Sequence, residues 1–308
     1  MLKADLSELP RATATKDVAV QADREPRFGQ VLAETWAASD RFATELPRAK
    51  QGARFRHSDA LNCARAVAYA ALDVPACDRL DLSAVFVMNL GHIVHDAWQE
   101  VMAARFGAEA EVKVGSGERA GHIDSVVRMD GKTIALEAKT VGGFAYKMAV
   151  GERGPAQGPK RAHIVQGALN AIEVDADELV IVYWSKDAIS VNVAARKKFT
   201  ELERFTSEWT FTRDEFEPLA REEQARVDGI LALLDEGVLP ARMIPELPRG
   251  AKITDPATGR WEQSRDGKLV DTGSAWNCGY CRWQTACQAT SPDRQPVAEV
   301  AVALGVAS

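Results

Sequence analysis

Three residues in the stretch GHIDSVVRMDGKTIALEAK, from Gly121 to Lys139, have the types and spacing that phosphodiester chemistry needs: Asp124, Glu137 and Lys139. Side chains at i and i+2 of a strand share a face, so Glu137 and Lys139 are co-facial, as are His122 and Asp124 on the preceding run. The Asp130-Gly131 pair between the two runs is a hairpin signal. Pairing about that turn brings Asp124 towards Glu137. Two carboxylates at close range repel, and one pKa rises unless a cation sits between them. Oxygen ligands with open positions suit Mg²⁺ or Mn²⁺. A lysine beside them could orient or deprotonate a water, or neutralise charge developing on a phosphate. The same spacing occurs in solvated Glu–Lys ladders, but the flanks differ: Ile134, Leu136 and Ala138 make the opposite face apolar, and Ala135 shares the face of Glu137.

Further ligands are available from two helical stretches. GHIVHDAWQ carries His92 and His95, three apart and so on one side of a helix. It is not the His-Glu-x-x-His zinc signature, because no Glu follows His92. IVQGALNAI places one polar group, Gln166, on an otherwise small and apolar helix.

The cysteines form a second constellation. Cys278, Cys281 and Cys287 supply three thiolates close together, while Cys63 and Cys77 lie far upstream. Such a knot binds a soft metal or an iron–sulfur cluster, and either centre ordinarily takes four ligands. Cys63, on a predicted helix beside Arg65, and Cys77 are the candidates for the fourth. Spacing alone leaves zinc and iron–sulfur both open. A site joining Cys63 to the C-terminal trio would close a long loop and so act structurally.

The elements that must position these residues follow from period and turn signals. HSDALNCARAVAYAAL predicts a helix capped by Ser58, and LSAVFVMNLGHIVHDAWQEVMAARF a long buried helix ended by Gly107. EAEVKVG, ERAGHIDSVVRMD and KTIALEAKT predict three strands. After the loop GERGPAQGP comes a helix, PKRAHIVQGALNAIEV, with Pro159 near its start. ELVIVYWS predicts a buried strand and AISVNVAA its neighbour. Residues 213–236 are helical in pattern, and 251–271 read as an exposed hairpin with turns at Thr258-Gly259 and Asp266-Gly267. The expected organisation is an N-terminal polar segment and helix over 1–57 and a core over 58–250 that includes Cys63. A hairpin and cysteine region over 251–290 and a flexible tail over 291–308 complete it. The fold class is α/β, a small mixed sheet flanked by helices, with helical additions.

Composition limits the function. The chain has 308 residues, 46% hydrophobic and 27% charged, with a net charge of -6. That balance excludes coating of nucleic acid by bulk charge but leaves room for a local basic groove. No apolar run is long enough to span a bilayer, and MLKADLSELPRATATK lacks the apolar core of a secretory signal. Both point to a cytoplasmic protein, in which five cysteines are not a disulfide framework.

Taken together, Cys63, GHIVH, GHID, EAK, the Gln166 helix and Cys-x2-Cys-x5-Cys resemble the iron–sulfur branch of the RecB-like PD-(D/E)xK nucleases. That branch includes CRISPR-associated, AddB-type and phage recombination exonucleases. The resemblance runs from Ser58 to Cys287. It implies a restriction-endonuclease-like core in which His95, Asp124, Glu137 and the backbone of Ala138 hold Mg²⁺ or Mn²⁺. Lys139 would assist the attacking water, and Gln166 would match the glutamine of the Gln-x-x-x-Tyr motif. Cys63, Cys278, Cys281 and Cys287 would hold a [4Fe–4S] cluster rather than zinc. The implied activity is metal-dependent exonucleolytic hydrolysis of DNA, mainly at single-stranded ends, in recombination or repair, with a recombination protein as a possible partner. Lys147, Lys160 and Arg161 are candidates for gripping backbone phosphates. Asn170 departs from the motif by replacing its tyrosine. No Walker loop is present, so a helicase fusion is not implied. The alternative reading is a non-catalytic nucleic-acid or protein binding module with a structural iron–sulfur or zinc site. RNA as the substrate stays open, because no reader of a 2′-hydroxyl is identifiable.

Overall fold

The hairpin at Asp130-Gly131 is the organising element. Both turn residues have positive φ, 53° and 76°, the backbone of a two-residue turn whose twist matches that of its strands. It joins β3 (Arg119–Met129) to β4 (Lys132–Val141). In this computed structural model the described residues are 53–77, 82–115, 117–186, 206–242, 251–255, 260–265, 268–273, 281–291 and 293–299. All belong to the compact unit Thr44–Ser308.

The main sheet is six-stranded and mixed. Its order is β1-β3-β4-β5-β6, with β2 also paired to β3; β1 is Phe55–Arg56, β2 Glu109–Val114, β5 Glu178–Ser185 and β6 Thr206–Thr212. β4 and β5 are parallel, and the chain between them forms α3 (Gly143–Ala149) and α4 (Arg161–Glu173). Among the described residues the first α-helix, α1, spans Ala64–Ala71, and the longest, α2, spans Leu82–Phe106. On one side of the sheet, Trp98 of α2 packs with Val127, Leu136, Ala138 and Val180. The larger core, on the other side, joins Val126, Ala135, Leu179 and Ile181 to α4 and to α5 (Arg213–Asp235). This is the mixed α/β architecture expected from the pattern.

α4 lies close on the sheet. A Cβ at Gly167 would meet the Leu179 and Ile181 Cδ1 atoms at 2.9 and 3.0 Å. Ala168 and Ala171 are likewise small and fully buried. A bulkier face would lift the helix, and with it Gln166 and Asn170, away from β4. α5 starts in a reciprocal cap, where the Thr212 N–H and hydroxyl donate to Glu215 Oε2 at 2.8 and 3.0 Å.

Several elements differ from the sequence reading. Ser58 lies in a short 3-10 turn, His57–Asp59, and α1 begins later with Cys63 as its N-cap residue. The neighbour of β5 is β6, TSEWTFT, which the turn-signal reading left out because its apolar residues are few. AISVNVAA and the segment 1–52 lie outside the described residues. Residues 251–273 form three strands, β8 (Ala251–Asp255), β9 (Arg260–Arg265) and β10 (Lys268–Gly273), rather than one hairpin. The expected tail is anchored at its start: β11 (Gln295–Pro296) pairs with β7 (Val238–Leu239). Buried Arg65 also donates to the Ser291 and Asp293 carbonyls at 2.6 and 2.8 Å. Near the C-terminal end of the described residues, α6 spans Gln284–Gln288.

Candidate metal centre

The site sits where the sheet opens. β3 and β4 pair from Met129–Lys132 only as far as Ser125–Leu136. Beyond that point β3 pairs with β2 and β4 pairs with β5. Asp124 is the first residue of β3 past the break. Its carboxylate stands in for the lost ladder partner, accepting the Ala138 N–H on Oδ2 at 2.7 Å. The same oxygen lies 2.9 Å from His95 Nε2, delivered by α2.

Glu137 follows on β4 and is 1% exposed. Its Oε1 accepts from Gln166 Nε2 at 2.6 Å and pairs with Lys139 Nζ at 2.6 Å. Its Oε2 accepts from Asn170 Nδ2 at 3.3 Å. Burial raises the Glu137 pKa, and the charge of Asp124 adds to the rise while Lys139 opposes it, leaving it at about 7. Burial pulls Lys139 down, but Glu137 and Asp124 outweigh it, so the ammonium is stabilised above its ordinary value. The bond from Asp124 raises His95, against burial.

Glu111 is a component that sequence reasoning missed. His95, Glu111 and Asp124 form a group whose ligand atoms lie within 4.8 Å of one another. Glu111 sits on β2 between Ala110, paired with Ser125, and Val112, paired with Ile123, which places it opposite Asp124. Like charges facing each other across a ladder are destabilising, and a cation would relieve this. Glu111 also has φ 50°, in the left-handed region that side chains rarely adopt. Gln99, one turn after His95, lies 3.2 Å from His95 Nδ1 and donates to Glu111 Oε1 at 2.6 Å. Only the register shows this role, because EAEVKV alone reads as a polar edge strand.

The donor set fits a divalent cation. His95 Nε2 and Asp124 Oδ2 are hydrogen-bonded at 2.9 Å, close enough to face one ion together. The carboxylates suit Mg²⁺ and Mn²⁺, and the imidazole suits zinc or iron as well.

No family model matches the chain, and no curated protein matches it. Several solved structures are similar to this chain at low identity. SSO0001 has 17% identity and a TM-score of 0.44, with 84% of this chain and 95% of that chain covered. The alkaline exonuclease LHK-Exo from Laribacter hongkongensis has 14% identity and a TM-score of 0.36, covering 48% and 69%. A phage-related exonuclease from Haemophilus somnus 129PT has 13% identity and a TM-score of 0.39, covering 56% and 79%.

Behind Lys139 lies a neutral polar shell, also missed. Tyr183 pairs in register with Lys139. Its hydroxyl accepts the Lys160 N–H at 2.8 Å and lies 2.7 Å from His163 Nδ1. Burial, then the charges of Lys139 and Lys160, lower the His163 pKa to about 3. The signal in the sequence was the spacing of His163 and Gln166, three apart on α4.

The other expected residues are spread more widely. His92 is exposed, and His122 contributes only its carbonyl, which accepts from Asn170 at 2.8 Å. Lys147 is in the last turn of α3, and Lys160 caps α4. Arg161 pairs with Glu222 of α5 at 2.9 Å. Cys278 lies outside the described residues. Cys63 and Cys287 carry free thiols. The segment bearing Cys281 and Cys287 packs on α1 and the loop after it. Trp283 Nε1 donates to the Val74 carbonyl at 2.9 Å, and the Trp283 ring lies 6.3 Å from that of Tyr69. The Cys77 N–H donates to the Arg282 carbonyl at 3.0 Å. Among the described residues, no helix is long and apolar enough to cross a membrane.

Proposed function

We propose that this chain is a Mg²⁺- or Mn²⁺-dependent nuclease that hydrolyses DNA phosphodiesters, acting on ends and mainly on single strands in recombination or repair. The observation that carries the reading is the His95–Asp124 pair at 2.9 Å, set beside the buried Glu137–Lys139 pair at 2.6 Å where β3 and β4 part. A divalent cation held by His95, Asp124, Glu137 and the Ala138 backbone would supply positive charge to the scissile phosphate and lower the pKa of a bound water. Glu111 stands close enough to add a ligand or to steady His95.

The chain's own groups divide the remaining work. Lys139 stays protonated at neutral pH, so it acts as a donor that orients the attacking water or neutralises phosphate charge, not as a base. Gln166 and Asn170 hold the Glu137 carboxylate from α4. Lys147, Lys160 and Arg161 follow the site in sequence and would grip backbone phosphates without reading bases.

Cys63, Cys278, Cys281 and Cys287 would hold a [4Fe–4S] cluster that ties the C-terminal segment to α1. The packing of Trp283 on Tyr69 and Val74 supports that role.

The test uses anaerobically purified protein with end-labelled linear, circular single-stranded and RNA substrates, each in Mn²⁺, Mg²⁺ or EDTA. The reading expects metal-dependent shortening of the linear DNA and sparing of the circle. Cleavage of the circle moves the activity to an endonuclease, and cleavage of RNA alone rejects the DNA assignment. Iron analysis and the visible absorbance band decide the cluster; a colourless protein containing zinc rejects it.

A further inference from the structure

Asn170, one turn after Gln166 on α4, is the middle of a buried chain of hydrogen bonds that ends on Glu137. Asn170 is 1% exposed, and its Nδ2 donates to both the His122 carbonyl at 2.8 Å and Glu137 Oε2 at 3.3 Å. With both amide hydrogens committed, Asn170 Oδ1 is left as an acceptor. It lies 2.8 Å from Nδ1 of His57, a fully buried histidine from the 3-10 turn before α1. The other ring nitrogen, Nε2, is buried without a hydrogen-bond partner. Burial lowers the His57 pKa, so the ring is neutral and carries one proton. The acceptor at Asn170 fixes that proton on Nδ1. Gly121 makes the approach possible: a Cβ there would stand 2.3 Å from Asn170 Oδ1 and 2.4 Å from His57 Nδ1.

We infer that His57 and Asn170 are positioning residues, a donor chain from His57 Nδ1–H through the Asn170 amide that sets the rotamer of Glu137 for cation binding. Two features favour this over simple core filling. The sequence places a polar pair, not an apolar one, at a point closed to water, where an unsatisfied amide is costly. The chain of bonds also ends on Glu137, a carboxylate that the metal-dependent reading turns towards the cation. Gln166 grips Oε1 and Asn170 grips Oε2, so together they fix the plane of the carboxylate. The inference rests on the metal-dependent reading of the site.

The test measures Mn²⁺ affinity by calorimetry, cleavage rate and melting temperature for the full chain and four variants: Asn170→Ala, His57→Phe, His57→Asn and Glu137→Ala. Asn170→Ala and His57→Phe should weaken Mn²⁺ binding about tenfold or more, whereas His57→Asn, which keeps a donor where Nδ1 stood, should stay within about threefold. A packing role predicts the reverse order, because Phe keeps the volume and Asn leaves a gap; that order overturns the inference. If His57→Phe does not fold, Asn170→Ala decides, and parental Mn²⁺ affinity there overturns it. Long-range proton–nitrogen spectra give a readout independent of activity: Nδ1 should be the protonated nitrogen of His57, and protonation at Nε2 contradicts the relay. Parental cleavage by Glu137→Ala would sink the nuclease reading itself. An inactive Glu137→Ala beside an unaffected Asn170→Ala would sink only the relay.

Discussion

The two ends of the β3–β4 hairpin carry the same kinds of residue to opposite effect. At the turn end, exposed Lys132 pairs with half-buried Glu178, and Arg128 with Glu109 on the outer surface, with the ladder intact beneath them. At the other end the ladder stops after Ser125–Leu136. Asp124 and Glu137 are there 8% and 1% exposed, and Lys139 is three-quarters buried. Water screens the first set, and exposed pairs of this kind contribute little. In the second set each charge depends on its neighbours, and burial, with the charge of Asp124 adding to it, raises the Glu137 pKa. A lysine and a glutamate on a strand are therefore unremarkable until the sheet opens beneath them.

The largest expected effect separates these two ends. Glu137→Ala should reduce cleavage at least about a thousandfold, and Lys139→Ala by about a hundred- to a thousandfold. Lys132→Ala, at the turn end, should change it by less than about twofold. Comparable losses from Lys132→Ala and Lys139→Ala in a steady-state cleavage assay would erase the distinction.

Titration gives the next effect. Cation binding needs ionised Glu137, whose folded pKa is raised from 4.5 to about 7. Mn²⁺ affinity should therefore rise with pH up to about 7, by as much as tenfold per unit, and level off above it. In metal-free protein the sign is opposite. A raised carboxyl pKa contributes stability below about 4.5 that is lost as pH rises through about 7. Metal-free parent should accordingly melt lower at pH 8 than at pH 5, and Glu137→Gln should flatten this dependence. A parent that gains stability over that interval would contradict the assigned burial.

Glu111→Ala comes next, with Mn²⁺ binding about tenfold weaker, since it removes a contact at the rim of the site. No change in a calorimetric titration would return Glu111 to the surface. Smallest are the phosphate contacts. Lys147→Ala should weaken single-stranded DNA binding a few-fold and reduce the salt slope by somewhat less than one; an unaltered slope removes that lysine from the interface.

How much of this was legible in the sequence depended on range. Glu137 and Lys139 stood out because a period of two on an apolar strand exposes any charge on its inner face. The hairpin turn was equally plain, because Asp-Gly favours the positive φ that both residues adopt. Glu111 was hidden because its meaning comes from the register with Asp124. His57 was hidden further still: its partner Asn170 is 113 positions away, and RHSD reads locally as a helix start. β6 escaped because TSEWTFT is a half-exposed edge with few apolar residues.

The most direct test of the central claim is cleavage of end-labelled single-stranded DNA by the parent and by Glu137→Ala, with Mn²⁺ and with EDTA, at matched melting temperatures. The account predicts shortening by the parent in Mn²⁺ alone and none by the variant under either condition. Cleavage by Glu137→Ala at the parental rate, or by the parent in EDTA, would contradict it.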